Sequence, residues 1–411
     1  MRRLSADWLL PMEGAPVPGG AVLIAEDGRI ASAGPDAAVP HPPDAVSSTH
    51  PGCVLVPGLV NAHTHLELTG LAGAIDAADF AEWIRRIIAL KATFEYDHFL
   101  AAARQGVADC FAAGVTTVAD TGDSGAVIEA LHEAGGSGIA YHEVFGPDPK
   151  DCEASLLGLQ QRVAERRRFT TDRIRIGVSP HAPYTVSGPL YRGVAVWARK
   201  EGLPVATHLA EPPGEIALFR DGTGSFAEMW SRRGITLPPG PLTPIEWLDH
   251  HGALGPELLC AHVVHADAAD IARLSRAAVA VAHCPLSNRA HAHGTAPLRA
   301  LLDAGLRVGC GTDSVVSVGR LDLLAEARAA RELAGLTADA AFALCTREAA
   351  RALRLDGEVG SIAEGKWGDV AVIRAHPAGS AAEAYERVLA SGQGDVVETI
   401  LGGRTVHRRT G

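Results

Sequence analysis

A chain of 411 residues with 47% hydrophobic and 21% charged residues has the make-up of a globular protein, large enough for one big domain with an appendage or for two domains. Its formal net charge of −11 argues against a nucleic-acid backbone or an anionic membrane as partner, which leaves a small molecule. No apolar run reaches the ~18 residues of a membrane span, and the opening MRRLSADWLLPMEG has too short an apolar stretch, broken by Asp7, for a signal peptide; a cytoplasmic location is expected.

Residues 1–56 read as short strands: AVLIAEDGRIASAG is two of them around an Asp27-Gly28 turn. Residues 358–411 have the same texture, in GSIAEGKWGDVAVIRAHP and VVETILGGRTVHRRTG. Neither end can make a stable sheet alone, so the two are expected to pair into one small β-sandwich domain. Between them, over residues 57–357, eight apolar strand candidates follow in order: LVNAHTHLEL, VTTVADTG, GIAYHEVFG, IRIGVSPHAPY, LPVATHLAE, LLCAHVVHA, AVAVAHCPLSN and RVGCGTDS. Helical stretches rich in Ala, Leu, Arg and Glu, such as 97–113, 154–167, 267–276 and 297–304, separate most of them. Repeated β-then-α units of this kind predict a (β/α)8 TIM-type barrel in an α/β fold. An open doubly wound sheet is the competitor, but no Gly-rich phosphate loop follows the first strand. The seven cysteines are scattered without a CxxC pair, which fits neither a disulfide framework nor a cysteine zinc site.

In a barrel, working residues belong at the C-terminal ends of the strands. His63, His65, His181, His208, Glu211, His262, His283 and Asp313 all fall there. Packing alone would scatter histidines as His98, His132, His250 and His251 are scattered. In VNAHTHLELTG, His63 and His65 are two apart, and so on one face of a strand. Neutral imidazoles and carboxylates converging on one mouth suit zinc, with iron or manganese as alternatives.

Taken together, PGLVNAHTHLEL, SPHAPYTVS, THLAE, CAHVVH, HCPLSN and GTDS resemble, in order, the strand motifs of the amidohydrolase superfamily. The branch they resemble most contains metal-dependent aminohydrolases of purines and purine nucleosides. The resemblance runs along essentially the whole chain and implies a site for one divalent metal. His63, His65, His208 and Asp313 would be its ligands, with a water on the open position whose pKa the metal lowers. Asp313 would also take the water's proton. Glu211 would protonate a purine ring nitrogen and help the amine leave, and His262 would position the attacking water. Relatives with two metals bridge them with a carboxylated lysine; here Lys91, Lys150, Lys200 and Lys366 all lie off the barrel strands, so one metal is expected.

The form HTHLEL with DFAEWIRRII downstream looks most like the aminodeoxyfutalosine deaminases of menaquinone synthesis. That likeness implies hydrolytic deamination at purine C6 of an adenine nucleoside. Other aminohydrolases (methylthioadenosine/adenosylhomocysteine, guanine or cytosine deaminase), a ring amidohydrolase or a chlorohydrolase share the scaffold as alternatives. Glu67 is assigned to the ribose hydroxyls, because two carboxylate oxygens match a cis-diol. Trp83 and His181 are placed beside the substrate, and Asn288 lines the same mouth. Lys91 stands where a glutamate is expected after the Trp. Arg85, Arg86, Arg192 and Arg289 are candidates for a substrate carboxylate. The stretch from about residue 69 to 95 is expected to cover the mouth, and a homodimer is consistent with the family.

Overall fold

A computed structural model describes residues 1–75, 79–375 and 378–409. Two sheets organise it. The first has seven strands: β1 (Arg2–Leu9), β2 (Val17–Ile24), β3 (Ile30–Pro35), β4 (Val46–Pro57), β13 (Val370–Arg374), β14 (Val396–Leu401) and β15 (Arg404–Arg408). Its order is β15-β14-β13-β4-β1-β2-β3, so the two ends of the chain meet where β4 runs antiparallel to β13, with Leu55 opposite Val372. Leu4, Val22, Ile24, Leu55, Val370, Val372 and Ile400, from five of these strands, share one buried cluster. That shared core, rather than local pairing, is what lets two short β segments hold together.

The second sheet is the barrel: β5 (Leu59–Thr64), β6 (Val115–Gly122), β7 (Gly138–Val144), β8 (Ile174–Pro180), β9 (Val205–Leu209), β10 (Leu258–His262), β11 (Ala280–His283) and β12 (Arg307–Cys310). All neighbours are parallel, in chain order, and the eight strands are the eight apolar candidates read from the sequence. The predicted helices fall at Tyr96–Ala112, Cys152–Arg166, Ala268–Arg276 and Leu298–Asp303. The barrel closes where Thr64 bridges Asp313, reinforced by Asp313 N–H donating to the His63 carbonyl at 3.0 Å. Alternate strand residues fill the interior: Val60, Ala62, Ala119, Ile139, Tyr141, Ala206, Leu259, Ala261, Ala280 and Ala282, with Ala349, Ala350 and Leu353 packed against them. Small alanines dominate because opposing strands in so narrow a barrel leave little room.

Two glycines allow close approaches. A Cβ at Gly58, between β4 and β5, would fall on the Thr116 side chain, and one at Gly311 would lie 2.7 Å from the His63 Cβ. The second contact brings the last barrel strand against the first at the level of the site.

After β5 the chain makes a short 3-10 turn, Leu66–Leu71, and then helix α1 (Phe80–Lys91), capped by the Asp79 side chain on Glu82 N–H. Residues 76–78 of the expected mouth-covering stretch lie outside the described residues. Only Ile87 of α1 is buried. Its first turn meets the loop after β11, with Phe80 4.5 Å from His293, and its last residue, Lys91, reaches Asp123 just beyond β6. At about 1.5 Å per residue the helix is roughly 18 Å long and bridges the mouth between those points. No helix among the described residues is long and apolar enough to cross a membrane.

Candidate active site

His63, His65, His208 and Asp313 come together at the C-terminal mouth. The ring-nitrogen ligand atoms of His63, His65 and His208 lie within 4.8 Å of one another. His65 Nε2 is 3.2 Å from His208 Nε2 and 3.4 Å from Asp313 Oδ1, and His63 Nε2 is 3.8 Å from that same oxygen. Donors that share one ion at about 2.0–2.2 Å stand roughly 3–3.5 Å from their neighbours, so these residues would fit one small divalent cation. The buried Nε2 of His63 has no hydrogen-bond partner. An orphaned donor aimed at three like groups is what a metal would satisfy.

The rings are held with Nε2 pointing inward because Nδ1 is engaged elsewhere. His65 Nδ1 donates to the Thr121 carbonyl at 2.8 Å and His208 Nδ1 to the His181 carbonyl at 3.0 Å. Such outer hydrogen bonds fix tautomer and orientation. Burial, with the His65 and His208 imidazoles close by, holds His63 far below its usual pKa; burial likewise takes His208 down to about 4. Both are neutral, as ligands must be. Burial opposes the ionisation of Asp313, but His65, His262 and the Ser287 hydroxyl bring it down to about 2. Ser287 Oγ donates to Asp313 Oδ2 at 2.5 Å.

Several strand exits are bent into the left-handed region: Ala210 (φ 51°), His262 (φ 71°), Val263 (φ 46°) and Asp313 (φ 58°). Non-glycine residues seldom adopt it, and its concentration here is backbone strain spent on aiming side chains. Ala210 shows how. Glu215, on helix Pro213–Asp221, accepts the N–H groups of Ala210 and Glu211 at 3.0 Å each. A continued strand would turn a residue three positions after His208 to the opposite face; because the chain bends after β9, Glu211 points into the mouth, where the motif reading places it. Burial pushes the Glu215 carboxyl up to about 8 against those two N–H groups, which hold it down.

Glu211 faces His262, whose Nε2 is 3.5 Å from Glu211 Oε1 and whose Nδ1 bonds Asn288 Oδ1 at 2.9 Å. Burial alone would raise the Glu211 pKa; His262 and His293 overcome it and hold the carboxylate ionised. His181 stands with its ring 4.8 Å from that of His208, its Nδ1 bonded to Thr185 Oγ1. Trp83 stacks on Phe80 and meets the edge of His291 at 4.6 Å. Arg289 is exposed and lines a cavity of about 300 Å³ with His283 and Asn288. Arg85 and Arg86 pair with Glu82 on the exposed side of α1, and Arg192 lines an outer groove with Trp197, Lys200 and His251.

Glu67 is buried with both oxygens taken. Oε1 accepts from Lys91 Nζ at 2.7 Å, and Oε2 accepts from Ser124 N–H at 3.2 Å and from the Ser124 hydroxyl. Lys91 also pairs with Asp123, whose side chain is 40% exposed. The lysine counted as off the barrel strands thus reaches the mouth from the helix that covers it.

Three residues in the site escaped the sequence reading. Glu143, the penultimate residue of β7, has a ligand oxygen within 4.8 Å of His181 and His208, and its Oε1 is buried without a partner. Ser287 orients Asp313. His293 lies 3.4 Å from Glu211 Oε1. The pair His291 and His293 repeats the two-apart spacing of His63 and His65 and was the one available signal.

A barrel whose strand ends gather imidazoles and a carboxylate around one cation-sized space is the framework of a metal-dependent hydrolase. Comparison with known proteins agrees: residues 54–406 match the sequence model of the amidohydrolase family. The chain is 35% identical over 347 residues to an aminodeoxyfutalosine deaminase of Deinococcus radiodurans, covering 81% of this chain and 80% of that one. It is 31% identical over 420 residues to a 5-methylthioadenosine/S-adenosylhomocysteine deaminase of Symbiobacterium thermophilum, covering 97% and 92%. Among solved structures, an adenosine deaminase from Xanthomonas campestris with bound zinc superimposes with a TM-score of 0.83 at 24% identity, over 98% of this chain and 92% of that one. The chain belongs to the amidohydrolase family, and is an enzyme that hydrolyses C–N bonds.

Proposed function

We propose that this enzyme removes the 6-amino group of an adenine nucleoside by hydrolysis, with aminodeoxyfutalosine as its substrate and zinc as its metal. The observation that carries this reading is the placement of Glu211 and His262 beside the His63, His65, His208 and Asp313 cluster: a deaminase needs proton carriers on either side of the attacked carbon. The named relatives are all adenine-nucleoside deaminases, and identities of 31–35% leave the particular nucleoside to this proposal.

A divalent ion held by His63, His65, His208 and Asp313 supplies the Lewis acidity that lets water ionise near neutral pH. Glu211, held ionised, passes a proton from water to the purine ring nitrogen as the oxygen bonds to C6. His262 steadies the water beside it. Asp313 then takes the proton left on that oxygen and delivers it to the amine, a step the family resemblance gives to Glu211; the C6–N bond breaks, and ammonia leaves a 6-oxopurine. Each carboxylate ends as it began, so the cycle closes.

Lys91 and the exposed edge of Asp123 are the groups that a sugar hydroxyl or a carboxylate on the substrate meets first on the β6 side. Glu67 holds Lys91 there, and would contact a diol itself only by giving up Lys91 or Ser124.

The test is ammonia release from zinc-loaded protein given aminodeoxyfutalosine, adenosine, methylthioadenosine, adenosylhomocysteine, 5′-deoxyadenosine, adenine, guanine and cytosine. Turnover of aminodeoxyfutalosine at least tenfold above the other nucleosides supports the full assignment. Preference for another adenine nucleoside retains the chemistry and replaces the substrate, and no release from any adenine compound overturns both.

A further inference from the structure

His293 lies in the loop after helix Pro285–Ala290, with its side chain 1% exposed. A buried histidine kept for structure normally has its ring nitrogens satisfied. Here Nε2 has no hydrogen-bond partner and stands 3.4 Å from Glu211 Oε1, the same oxygen that His262 Nε2 approaches to 3.5 Å. One residue sets both imidazoles: Asn288 bonds His262 Nδ1 through its side chain, and its carbonyl accepts the His293 backbone N–H at 2.9 Å. The far side of His293 is packed as well. The Phe80 ring meets it edge-on at 4.5 Å and 89°, and His291 stacks on it at 5.3 Å, itself anchored through Nε2 to Ser317 Oγ at 3.0 Å. The imidazole is therefore packed against α1 on one side and turns Nε2 to the carboxylate on the other.

Building on the deaminase reading, we propose that His293 is a positioning residue for Glu211. Its Nε2–H holds the carboxylate turned toward His262 and the attacked ring while Glu211 moves its proton, and Phe80 on α1 fixes the imidazole for that task. Geometry of this kind matters because a proton carrier displaced by about 1 Å loses much of its rate.

The experiment compares His293→Phe, which keeps a ring of similar size without the donor, with His293→Gln, which keeps an N–H donor, and His293→Ala, assayed with and without added imidazole. On the best nucleoside of the panel, His293→Phe and His293→Ala are expected to lose about ten- to a hundredfold in kcat. KM and bound metal should stay within about twofold of the parent. His293→Gln should recover most of the loss, and imidazole should restore part of the His293→Ala activity. Unchanged kcat in His293→Phe and His293→Ala, in a parent that deaminates the nucleoside, overturns the proposal and leaves the deaminase reading standing. Equal losses in all three variants without imidazole rescue also overturn it, since a packing role predicts that pattern. A crystal structure of His293→Phe decides the matter without any substrate. A Glu211 carboxylate that has left His262 supports the role, and one that has not moved refutes it.

Discussion

The Lys91 ammonium lies 2.7 Å from the Glu67 carboxylate, and this contact fastens the last turn of α1 to the turn that follows the first barrel strand. The Glu67 side chain is 1% exposed and that of Lys91 19%. Burial tends to raise the Glu67 pKa and lower that of Lys91; with Glu67 and Asp123 beside it, the lysine stays charged. Removing one member of a buried pair strands the other, at about 3–5 kcal/mol. Lys91→Met should therefore lower unfolding free energy in urea by about 3 kcal/mol, and adding Glu67→Gln should return part of that loss. If the double variant is as unstable as the sum of the two single changes, the pair is not coupled.

Asp313→Asn keeps the shape of the side chain but removes a charged ligand and a proton acceptor together. Turnover should fall by at least about 10²-fold, the scale of general acid–base catalysis, while circular dichroism stays that of the parent. Bound metal, measured by elemental analysis, should fall as well. Full metal content with parental turnover would remove Asp313 from both roles.

Metal removal should show in stability as well as in rate. A cation that binds only the folded chain adds about 2.7 kcal/mol at a hundredfold excess over its dissociation constant. Dialysis against a chelator should lower the melting temperature, and zinc should restore it. In His63→Ala the chelator should make little further difference.

The small sheet carries its own acid sensitivity. Burial disfavours a charged Glu398, yet Thr405, Arg408 and Arg2 around it hold its pKa below the usual value. Arg2 Nη2 and Arg408 Nη2 reach Glu398 Oε1 at 2.6 and 2.5 Å. A carboxyl whose folded pKa is depressed contributes its stability above the unfolded value of about 4.3, and loses it as pH falls through the lower folded one. Urea midpoints compared at neutral pH and below pH ~4 should converge between the parent and Glu398→Gln as the solution is acidified. A constant gap across that range would assign the difference to packing.

The barrel was legible because parallel strands covered on both faces leave unbroken apolar runs, and all eight were visible as such. His63, His65, His208, Glu211, His262 and Asp313 could be picked out because each sits where such a run stops. Glu215 could not, Lys91 stood out only as a lysine where a glutamate is expected, and His293 offered only its spacing from His291. Lys91 acts on a carboxylate 24 residues away from the end of an exposed-looking helix, and Glu215 works through backbone N–H groups that no side-chain pattern displays. His293 owes its place to the Asn288 carbonyl, an acceptor that every residue possesses. Spacing within one strand reveals which side chains share a face; it says nothing of what a loop from another strand brings to meet them.

The antiparallel seam between β4 and β13 has a consequence for how the molecule is made. Residues 2–57 leave the ribosome some 300 residues before the strands at 370–408 that complete their sheet, and the whole barrel is synthesised in the interval. During that time β4 exposes an unpaired edge, a template on which a second nascent chain could add a strand. Placing residues 370–408 ahead of residue 2 by circular permutation would let the seam form first, and the permuted protein should yield a larger soluble fraction when synthesised at the same rate.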